Sequence, residues 1–503
     1  MPERPDAVSG PLARLKAAFG TVMDLRHAAA LVEWDERVMM PEGGAVVHGE
    51  AAATLHRLAH EHFTADEVGA AIEALARGGD DAGDSDDASL VRVAAREYRK
   101  AIRVPGAFVA EQARVVSAAQ MVWQHARAAS DFARFAPHLE RVLELKREYV
   151  GFFPPAPHPY DHLVDDYEPG MTTAEIAHLF AALRPRQVAL VRAAAEQAGG
   201  APSFMTADFD EAGMLAFAEE VVTAFGFDWS RGRQDRSSHP FATGIGPDDV
   251  RITTRWVPGQ PFALLFGTMH EAGHALYEQG VAPELSRTML EGGTSLGVHE
   301  SQSRLWENLV GRSRPFWTHF FPVLQRRFPA QLGGVTAEAF YRGVNRVSPS
   351  LIRVEADEAT YNLHVMLRVE LEMGLVEGSV TPADLPELWR ARMSEYLGVA
   401  PDTDAEGVLQ DIHWSAGLFG YFATYTLGNV IAAQLWQAFG AAHPNRDADV
   451  ARGDFAPLLA WLRAEVHRHG CKFSPQELVQ RATGAPVDPE PYLRYLEGKY
   501  GTA

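Results

Sequence analysis

The chain has 503 residues, of which 47% are hydrophobic and 22% charged, so it can build a large core and has the composition of a soluble protein. Its formal net charge of −20 argues against nucleic-acid binding, because contacts to phosphates require a basic face. Cys471 is the one cysteine, which excludes a disulfide framework and a metal site built from several thiolates.

The first residues lack the apolar core of a signal peptide, and no run of 18 or more apolar residues follows. We therefore expect a cytoplasmic protein without membrane contact. Apolar residues recur every three or four positions along most of the chain, which predicts helices. The predicted helices cover 11–33, 45–62, 64–77, 88–103, 105–131, 132–152, 173–199, 209–226, 314–328, 336–346, 353–375, 382–398, 416–440, 447–469 and 474–483. No repeat and no Gly/Ser linker divides them, so we predict a single, mainly α-helical domain over 1–503.

The clearest predicted strand lies at 249–256, where β-branched and polar residues alternate in Asp249-Val-Arg-Ile-Thr-Thr-Arg-Trp256. If it is an edge strand, its backbone can pair with an extended peptide. If it belongs to a small hairpin, it only covers the core. The composition favours neither alternative.

A helix with metal-binding character follows this strand, in Phe266-Gly-Thr-Met-His-Glu-Ala-Gly-His-Ala-Leu-Tyr277. His270 and His274 are four residues apart and leave one face of the helix, where they can hold one Zn²⁺ ion. Glu271 lies beside them and can take a proton from a water molecule that the ion activates. This H-E-x-x-H spacing is typical of metallopeptidases. A chance match would usually lie on a polar surface helix, whereas the flanking residues here are apolar.

A catalytic zinc ion usually has three protein ligands and one open position, so a third ligand is required. A carboxylate from a second, antiparallel helix would complete the site, which favours the helix that begins near 295–300. The residues alone leave His299, Glu300 and Glu307 as candidates.

Five segments together resemble the signature motifs of the carboxypeptidase Taq family of metallocarboxypeptidases. They are His270-Glu-Ala-Gly-His274, His299-Glu-Ser-Gln302, Asp249-Val-Arg-Ile-Thr253, Ile352-Arg-Val-Glu-Ala-Asp357 and Gly407-Val-Leu-Gln-Asp-Ile-His-Trp414. The resemblance implies that Glu300 is the third ligand and that zinc is the usual metal, with cobalt able to replace it. It implies release of single residues from peptide C-termini, with broad preference but poor action where proline is at the chain end. It also implies a homodimer and a mainly α fold, with a deep substrate groove between two lobes and a small β element next to the metal helix.

A carboxypeptidase must bind the terminal carboxylate of its substrate, which calls for arginine donors. Arg353 is the first choice and Arg251, in the predicted strand, is the second. A further donor must stabilise the oxyanion that forms during hydrolysis. The candidates for that donor, each of which could instead be a core residue, are His413, Tyr421 and Tyr425. The candidates for orienting the ligand imidazoles are Asp249, Asp357 and Asp411.

Two alternatives to a carboxypeptidase remain. An oligopeptidase or dipeptidyl carboxypeptidase on a similar helical fold would carry its third glutamate in a different sequence context. A metal-stabilised scaffold or peptide-binding protein would bind zinc without cleaving peptides, and the presence of Glu271 argues against it.

Overall fold

The structure, a computed structural model, describes residues 10–501. The first residues of the chain, on which the expectation of no signal peptide depends, lie outside this range. Within it, none of the helices combines the length and apolarity that crossing a bilayer requires.

Helices dominate the described residues, and a small sheet lies next to the predicted metal helix in sequence. The helices are α1 (Pro11–Val38), α2 (Ala45–Phe63), α3 (Asp66–Gly78), α4 (Asp86–Ala101), α5 (Gly106–Ala129), α6 (Phe132–Gly151), α7 (Tyr160–Val164), α8 (Thr173–Gln197), α9 (Glu211–Phe225), α10 (Pro261–Glu278), α11 (Leu296–Arg304), α12 (Arg314–Arg327), α13 (Pro329–Leu332), α14 (Ala337–Val344), α15 (Tyr361–Glu377), α16 (Leu385–Leu397), α17 (Ala423–Ala442), α18 (Arg446–Ala451), α19 (Ala456–Glu465), α20 (Pro475–Thr483) and α21 (Glu490–Tyr500). The strands are β1 (Gly232–Arg236), β2 (Ala242–Gly244) and β3 (Val250–Thr254). The predicted mainly α fold is confirmed.

Two predicted helices begin later than expected, and both differences concern candidate site residues. The segment predicted at 353–375 begins as a short 3₁₀ turn, Arg353–Glu355, and the α-helix starts only at Tyr361. The segment predicted at 416–440 becomes helical only at Ala423, after Gly420 with φ 90°. A side chain at Gly420 would meet the carbonyl oxygen of Leu163 at 2.4 Å, so the chain there follows a non-helical path that only glycine fits. Arg353 and His413 thus both lie on turns and not on α-helices.

One compact unit consists of the described residues up to Arg103, together with Asp208–Thr294 and Asp454–Ser474. It contains α1–α4, α9, α10, α19 and the sheet. Its apolar core joins α1, α2, α3 and α4 to the segment after α10, and includes Leu15, Phe19, Val22, Phe63, Ile72, Leu75, Leu90, Val91, Val281 and Leu290.

The sheet of this unit has the order β1-β3-β2, with β3 parallel to β1 and antiparallel to β2. The predicted strand is therefore the central one, and both of its edges are paired within the sheet. The idea that this strand offers an open edge to a peptide is wrong. The sequence did not reveal this because β1, Gly232-Arg-Gln-Asp-Arg236, lacks the β-branched residues that indicate a strand.

The other compact unit consists of Val104–Ala207, Ser295–Gly453 and the described residues from Pro475 onward. Its helices α15 and α17 are buried on nearly every face, which agrees with their largely apolar composition. At the start of α8, Thr172 and Glu175 form a reciprocal capping box, and the helix continues through Pro185. This unit contains α11 and the turns that carry Arg353 and His413.

Candidate active site

Helix α10 is fixed to the sheet by contacts close to its histidines. Pro261 occupies the first turn, where its missing N–H costs no helical hydrogen bond. The buried Thr268 hydroxyl donates to Thr254 Oγ1 at 3.1 Å and accepts from Gln234 Nε2 at 3.0 Å. These contacts hold the helix two residues before His270, and thus limit the rotation of α10 about its axis.

Among residues 10–501, His270, His274 and Glu300 form the group that could hold a metal ion. One ligand atom from each residue lies within 4.8 Å of the others, and the two imidazole centroids are 5.0 Å apart. Donors about 2.0–2.2 Å from one zinc ion lie at most about 4.4 Å from one another, so small side-chain rotations bring all three to one ion. Two imidazoles and a carboxylate suit zinc, and Glu300 is 6% exposed. The donor set therefore fits a metal ion.

Of the three candidates for the third ligand, the structure brings Glu300 to the histidines. His299 is its neighbour on α11 and is not part of the group. Glu307 pairs instead with Arg304 at 3.2 Å and Arg312 at 3.3 Å. The sequence left this choice open because all three residues lie on one helical stretch, whose rotation is set by tertiary packing.

The rotation and position of α11 are set at its N-terminus and along one side. Ser295 Oγ caps the helix by accepting from the Val298 amide, and donates to Glu168 Oε1 at 3.0 Å. The second carboxylate oxygen of Glu168 accepts from the Gly297 amide at 3.0 Å. Burial raises the pKa of Glu168 to about 7 although these donors oppose the shift. On the other side, a side chain at Gly428 would meet Glu300 Cγ at 2.5 Å, so glycine lets α17 approach the ligand closely.

The carboxylate of Glu300 is held by its own helix. Arg304, one turn later, donates from Nε to Oε1 at 2.7 Å, and Ser303 Oγ donates to Oε2 at 3.1 Å. Arg304 is itself fixed, because its guanidinium lies over the ring of Tyr361 with 4.4 Å between the guanidinium carbon and the ring centroid. The charge of Glu300, with that of Glu307, outweighs desolvation and raises the pKa of Arg304.

Arg353 belongs to a buried cluster in which two arginines share one carboxylate. Its Nε and one terminal nitrogen donate to Asp411 Oδ1 at 3.0 and 2.8 Å, while Arg368 Nε donates to Asp411 Oδ2 at 2.7 Å. The other terminal nitrogen of Arg353 donates to Tyr361 Oη at 2.8 Å. The two arginines hold the pKa of Asp411 far below its usual range although burial opposes this. Among Arg353, Arg368 and Asp411, two cations and one anion leave an excess of positive charge.

Arg251, the second candidate for the substrate carboxylate, has a different environment. Its Nε and a terminal nitrogen donate separately to the two oxygens of Asp249, at 2.8 and 2.7 Å, and the guanidinium carbon lies 4.4 Å from the Trp34 ring centroid. Arg233 lies over the same ring at 5.2 Å and pairs with Asp235. Each of these arginines has a carboxylate of its own, so no excess charge remains.

The three candidate oxyanion donors lie together. His413 Nε2 is 3.3 Å from Tyr425 Oη, and the rings of Tyr421 and Tyr425 are 5.5 Å apart. Burial and the nearby charge of Glu300 raise the pKa of Tyr421 to about 12, and burial also raises the pKa of Tyr425. Both phenols are therefore protonated near neutral pH and can donate a hydrogen bond.

The carboxylates considered for orienting the imidazoles have other partners. Asp249 and Asp411 bind arginines as described, and Asp357 accepts from the backbone amides of Ser348, Ala359 and Thr360. Arg304, Tyr361 and Arg368 were not among the candidate site residues predicted from the sequence. The spacing of Arg304, four residues after Glu300, was a signal that could have identified it.

Comparison with known proteins agrees with this geometry. The family model "Carboxypeptidase Taq (M32) metallopeptidase" matches residues 14–500. The chain is 44% identical over 488 residues to "Thermostable carboxypeptidase 1" of Thermus thermophilus, covering 95% of each chain, and 38% identical over 490 residues to "Carboxypeptidase 1" of Bacillus subtilis, covering 96% of this chain and 97% of the other. The crystal structure of an M32 carboxypeptidase from Deinococcus radiodurans R1 superposes with a TM-score of 0.94 at 43% identity, over 98% of this chain and 99% of that one. The chain therefore belongs to the carboxypeptidase Taq family of metallopeptidases.

Proposed function

We propose that this metallocarboxypeptidase uses zinc to release single residues from peptide C-termini, with broad preference for the residue released and poor action where proline is at the chain end. The observation that carries the proposal is the convergence of ligand atoms from His270, His274 and Glu300 within 4.8 Å. Two imidazoles and one carboxylate, with a position left open, form a known ligand set of catalytic zinc. Cobalt prefers similar ligands, so we expect it to support activity in place of zinc.

Glu271 is proposed as the general base. A zinc ion bound by the neighbouring residues would supply Lewis-acid polarisation of the scissile carbonyl and lower the pKa of water toward about 7. Glu271 then takes the proton of the attacking water and delivers it to the leaving amine. It is 7% exposed and directly follows His270 on α10, so it is largely shielded from bulk solvent on the same helical turn as a proposed metal ligand.

Arg353 is proposed to bind the terminal carboxylate of the substrate. Its contacts to Asp411 and Tyr361 use three of its five N–H groups, so donors remain for a second anion. The net positive charge shared with Arg368 favours such an anion, because an uncompensated buried charge is costly. Arg251 is the second candidate, and its one-to-one pairing with Asp249 makes it the weaker of the two.

His413, Tyr421 and Tyr425 are proposed to stabilise the oxyanion. The raised pKa values of both tyrosines keep their hydroxyls protonated, which a hydrogen-bond donor to a developing negative charge requires. Each of the three lies close to another member of the group, so removal of one hydroxyl is expected to leave partial activity.

Mass spectrometry of a peptide digest tests the proposal. A peptide of about ten residues with a free C-terminus, incubated with the zinc-loaded protein, should lose one residue at a time from that end, and a chelator should stop the reaction. The same peptide with an amidated C-terminus should be cleaved far more slowly, since Arg353 then lacks its charged partner. Loss of dipeptides or an internal cut would support the alternative, an oligopeptidase or dipeptidyl carboxypeptidase. No cleavage at all would contradict both.

We further propose a cytoplasmic homodimer that binds neither nucleic acid nor membranes. The proposal of a dimer follows from the family resemblance, and the net charge of −20 disfavours nucleic acid. Size-exclusion chromatography with light scattering tests the oligomeric state, and a mass equal to one chain would contradict the dimer.

A further inference from the structure

Tyr361, the first residue of α15, touches two functional groups of the proposed site. Its hydroxyl accepts a hydrogen bond of 2.8 Å from Arg353, the proposed carboxylate-binding residue. Its ring face lies under Arg304, the arginine that holds the metal ligand Glu300, at 4.4 Å. The side chain is 7% exposed, so both contacts are made in a shielded environment.

The hydroxyl supplies a restraint on Arg353 that Asp411 alone does not. Both nitrogens that face Asp411 donate to one atom, Oδ1, at 3.0 and 2.8 Å. A guanidinium held at one acceptor atom can still tilt about that atom, whereas two acceptors on different sides define its plane. Tyr361 Oη is the second acceptor, so it determines which way the remaining N–H groups of Arg353 face.

The ring supplies a corresponding restraint on Arg304. This side chain donates from Nε to Glu300, and a terminal nitrogen donates to Glu307 at 3.2 Å. The ring below closes one side of the guanidinium, and the attraction between a cation and an aromatic face favours this position. Without the ring, the guanidinium of Arg304 could shift toward Glu307. The carboxylate of Glu300 would then lose the hydrogen bond of 2.7 Å from Arg304 Nε.

We propose that Tyr361 is a positioning residue that serves both halves of the reaction, orienting Arg353 for the substrate carboxylate through its hydroxyl and Glu300 for the metal, by way of Arg304, through its ring. The inference rests on the proposed roles of Arg353 and of the metal ligands. The two contacts can be tested separately, because one substitution removes only the hydroxyl and another removes the hydroxyl together with the ring.

Two substitutions separate the contacts. Tyr361→Phe keeps the ring and removes the hydroxyl, so KM for a free-acid peptide should rise about tenfold while kcat and the zinc dissociation constant stay within about twofold. Tyr361→Leu removes both, so KM should rise similarly and the zinc dissociation constant, measured by competition with a chromogenic chelator, should rise about fivefold. A zinc dissociation constant that is the same in both variants, or an unchanged KM in Tyr361→Phe, would overturn the proposal.

The chain offers a matched control and a second route to the ring contact. Tyr341 also lies under an arginine, Arg314, at 4.0 Å from its ring centroid, so Tyr341→Leu removes a comparable contact and should change neither KM nor zinc affinity. Arg304→Gln removes the cation and keeps Tyr361, and should weaken zinc binding as Tyr361→Leu does. If Tyr361→Leu does not fold, an unchanged zinc affinity in Arg304→Gln overturns the ring half of the proposal.

The wild-type protein distinguishes a failure of this inference from a failure of the proposed function. If wild type cleaves free-acid and amidated peptides equally well, the role of Arg353 is refuted, and the hydroxyl half of the proposal is refuted with it. If wild type prefers the free acid and Tyr361→Phe keeps the full preference, the role of Arg353 stands and that of Tyr361 is refuted.

Discussion

The histidine-bearing helix and the arginine cluster were assembled in different ways. In α10, two proposed metal ligands and the proposed base lie within five consecutive residues, and the regular geometry of one helix brings His270 and His274 together. The arginine cluster takes Arg353 from a 3₁₀ turn, Arg368 from α15 and Asp411 from an irregular segment. The first region is determined by local structure, and the second exists only after distant segments have packed.

The arginines near each region also differ in how their charge is balanced by carboxylates. In β3, Arg251 is neutralised by Asp249 in a pair whose carboxylate side chain is 41% exposed. In the arginine cluster, Asp411 pairs with two arginines and its side chain is 11% exposed, so an excess of positive charge is shielded from bulk solvent. A neutral pair offers little net charge to a substrate carboxylate, whereas an excess of buried positive charge is suited to binding an anion.

The largest expected effect concerns Glu271, the proposed base in α10. Glu271→Gln should lower kcat by about a thousandfold, because the amide cannot accept a proton, while the metal ligands stay intact. Steady-state kinetics combined with metal analysis of the purified variant checks this. Substantial turnover in a fully metal-loaded variant would contradict the role of Glu271 as base.

Removal of the Asp411 carboxylate, which Arg353 and Arg368 share, tests the arginine cluster. Asp411→Asn leaves two buried guanidinium groups without an anion and should lower the free energy of unfolding by about 3–5 kcal/mol. The matched control, Asp249→Asn, affects a more exposed pair and should cost less than about 1 kcal/mol. Denaturant unfolding measures both. Equal losses would show that the two arginine sites do not differ as described.

The pH dependence of stability tests another buried group next to the arginine cluster. Glu372 accepts from Tyr160, Trp414 and Gly420, and burial raises its pKa from 4.5 to about 7. A raised carboxyl pKa favours the protonated folded state, so the stabilisation is complete below pH 4.5 and is lost as pH rises through about 7, an effect of about 3 kcal/mol.

In Glu372→Gln this loss should be absent, since an amide does not titrate. Unfolding free energies at pH 4.5 and pH 8 for both proteins give the comparison. Part of the wild-type dependence should persist in the variant, because Glu168 also has a pKa raised to about 7. A variant with the full wild-type dependence would contradict the assignment to Glu372.

The smallest expected effect compares the two arginine candidates directly. Arg353→Lys keeps the charge but loses the planar set of donors, and should raise KM for a free-acid peptide about tenfold. Arg251→Lys should leave KM nearly unchanged. Equal effects, or a larger effect at Arg251, would reverse the assignment of the carboxylate-binding residue.

Sequence patterns predicted features whose cause is local. The helical periodicity predicted most helices, and the spacing of His270 and His274 predicted that both imidazoles leave one face of a helix, where they could hold a metal ion. A strand at 249–256 was predicted correctly, but of its two alternatives the edge strand was wrong, because the neighbours of a strand are not encoded in its own alternation. The helices predicted from 353 and 416 began too early, because close packing at Gly420 and the turn at Arg353 override helical propensity.

The sequence by itself determined that the protein is mainly helical. It predicted that one helix carries two metal ligands and a base and, through family resemblance, that Glu300 is the third ligand. The tertiary structure decided which side chains share a charge, as Asp411 does with Arg353 and Arg368, and which ring lies under Arg304. The physical reason is the range of the interactions. Helix formation and i, i+4 spacing depend on a few neighbouring residues, whereas the ion pair between Arg353 and Asp411 joins residues 58 positions apart.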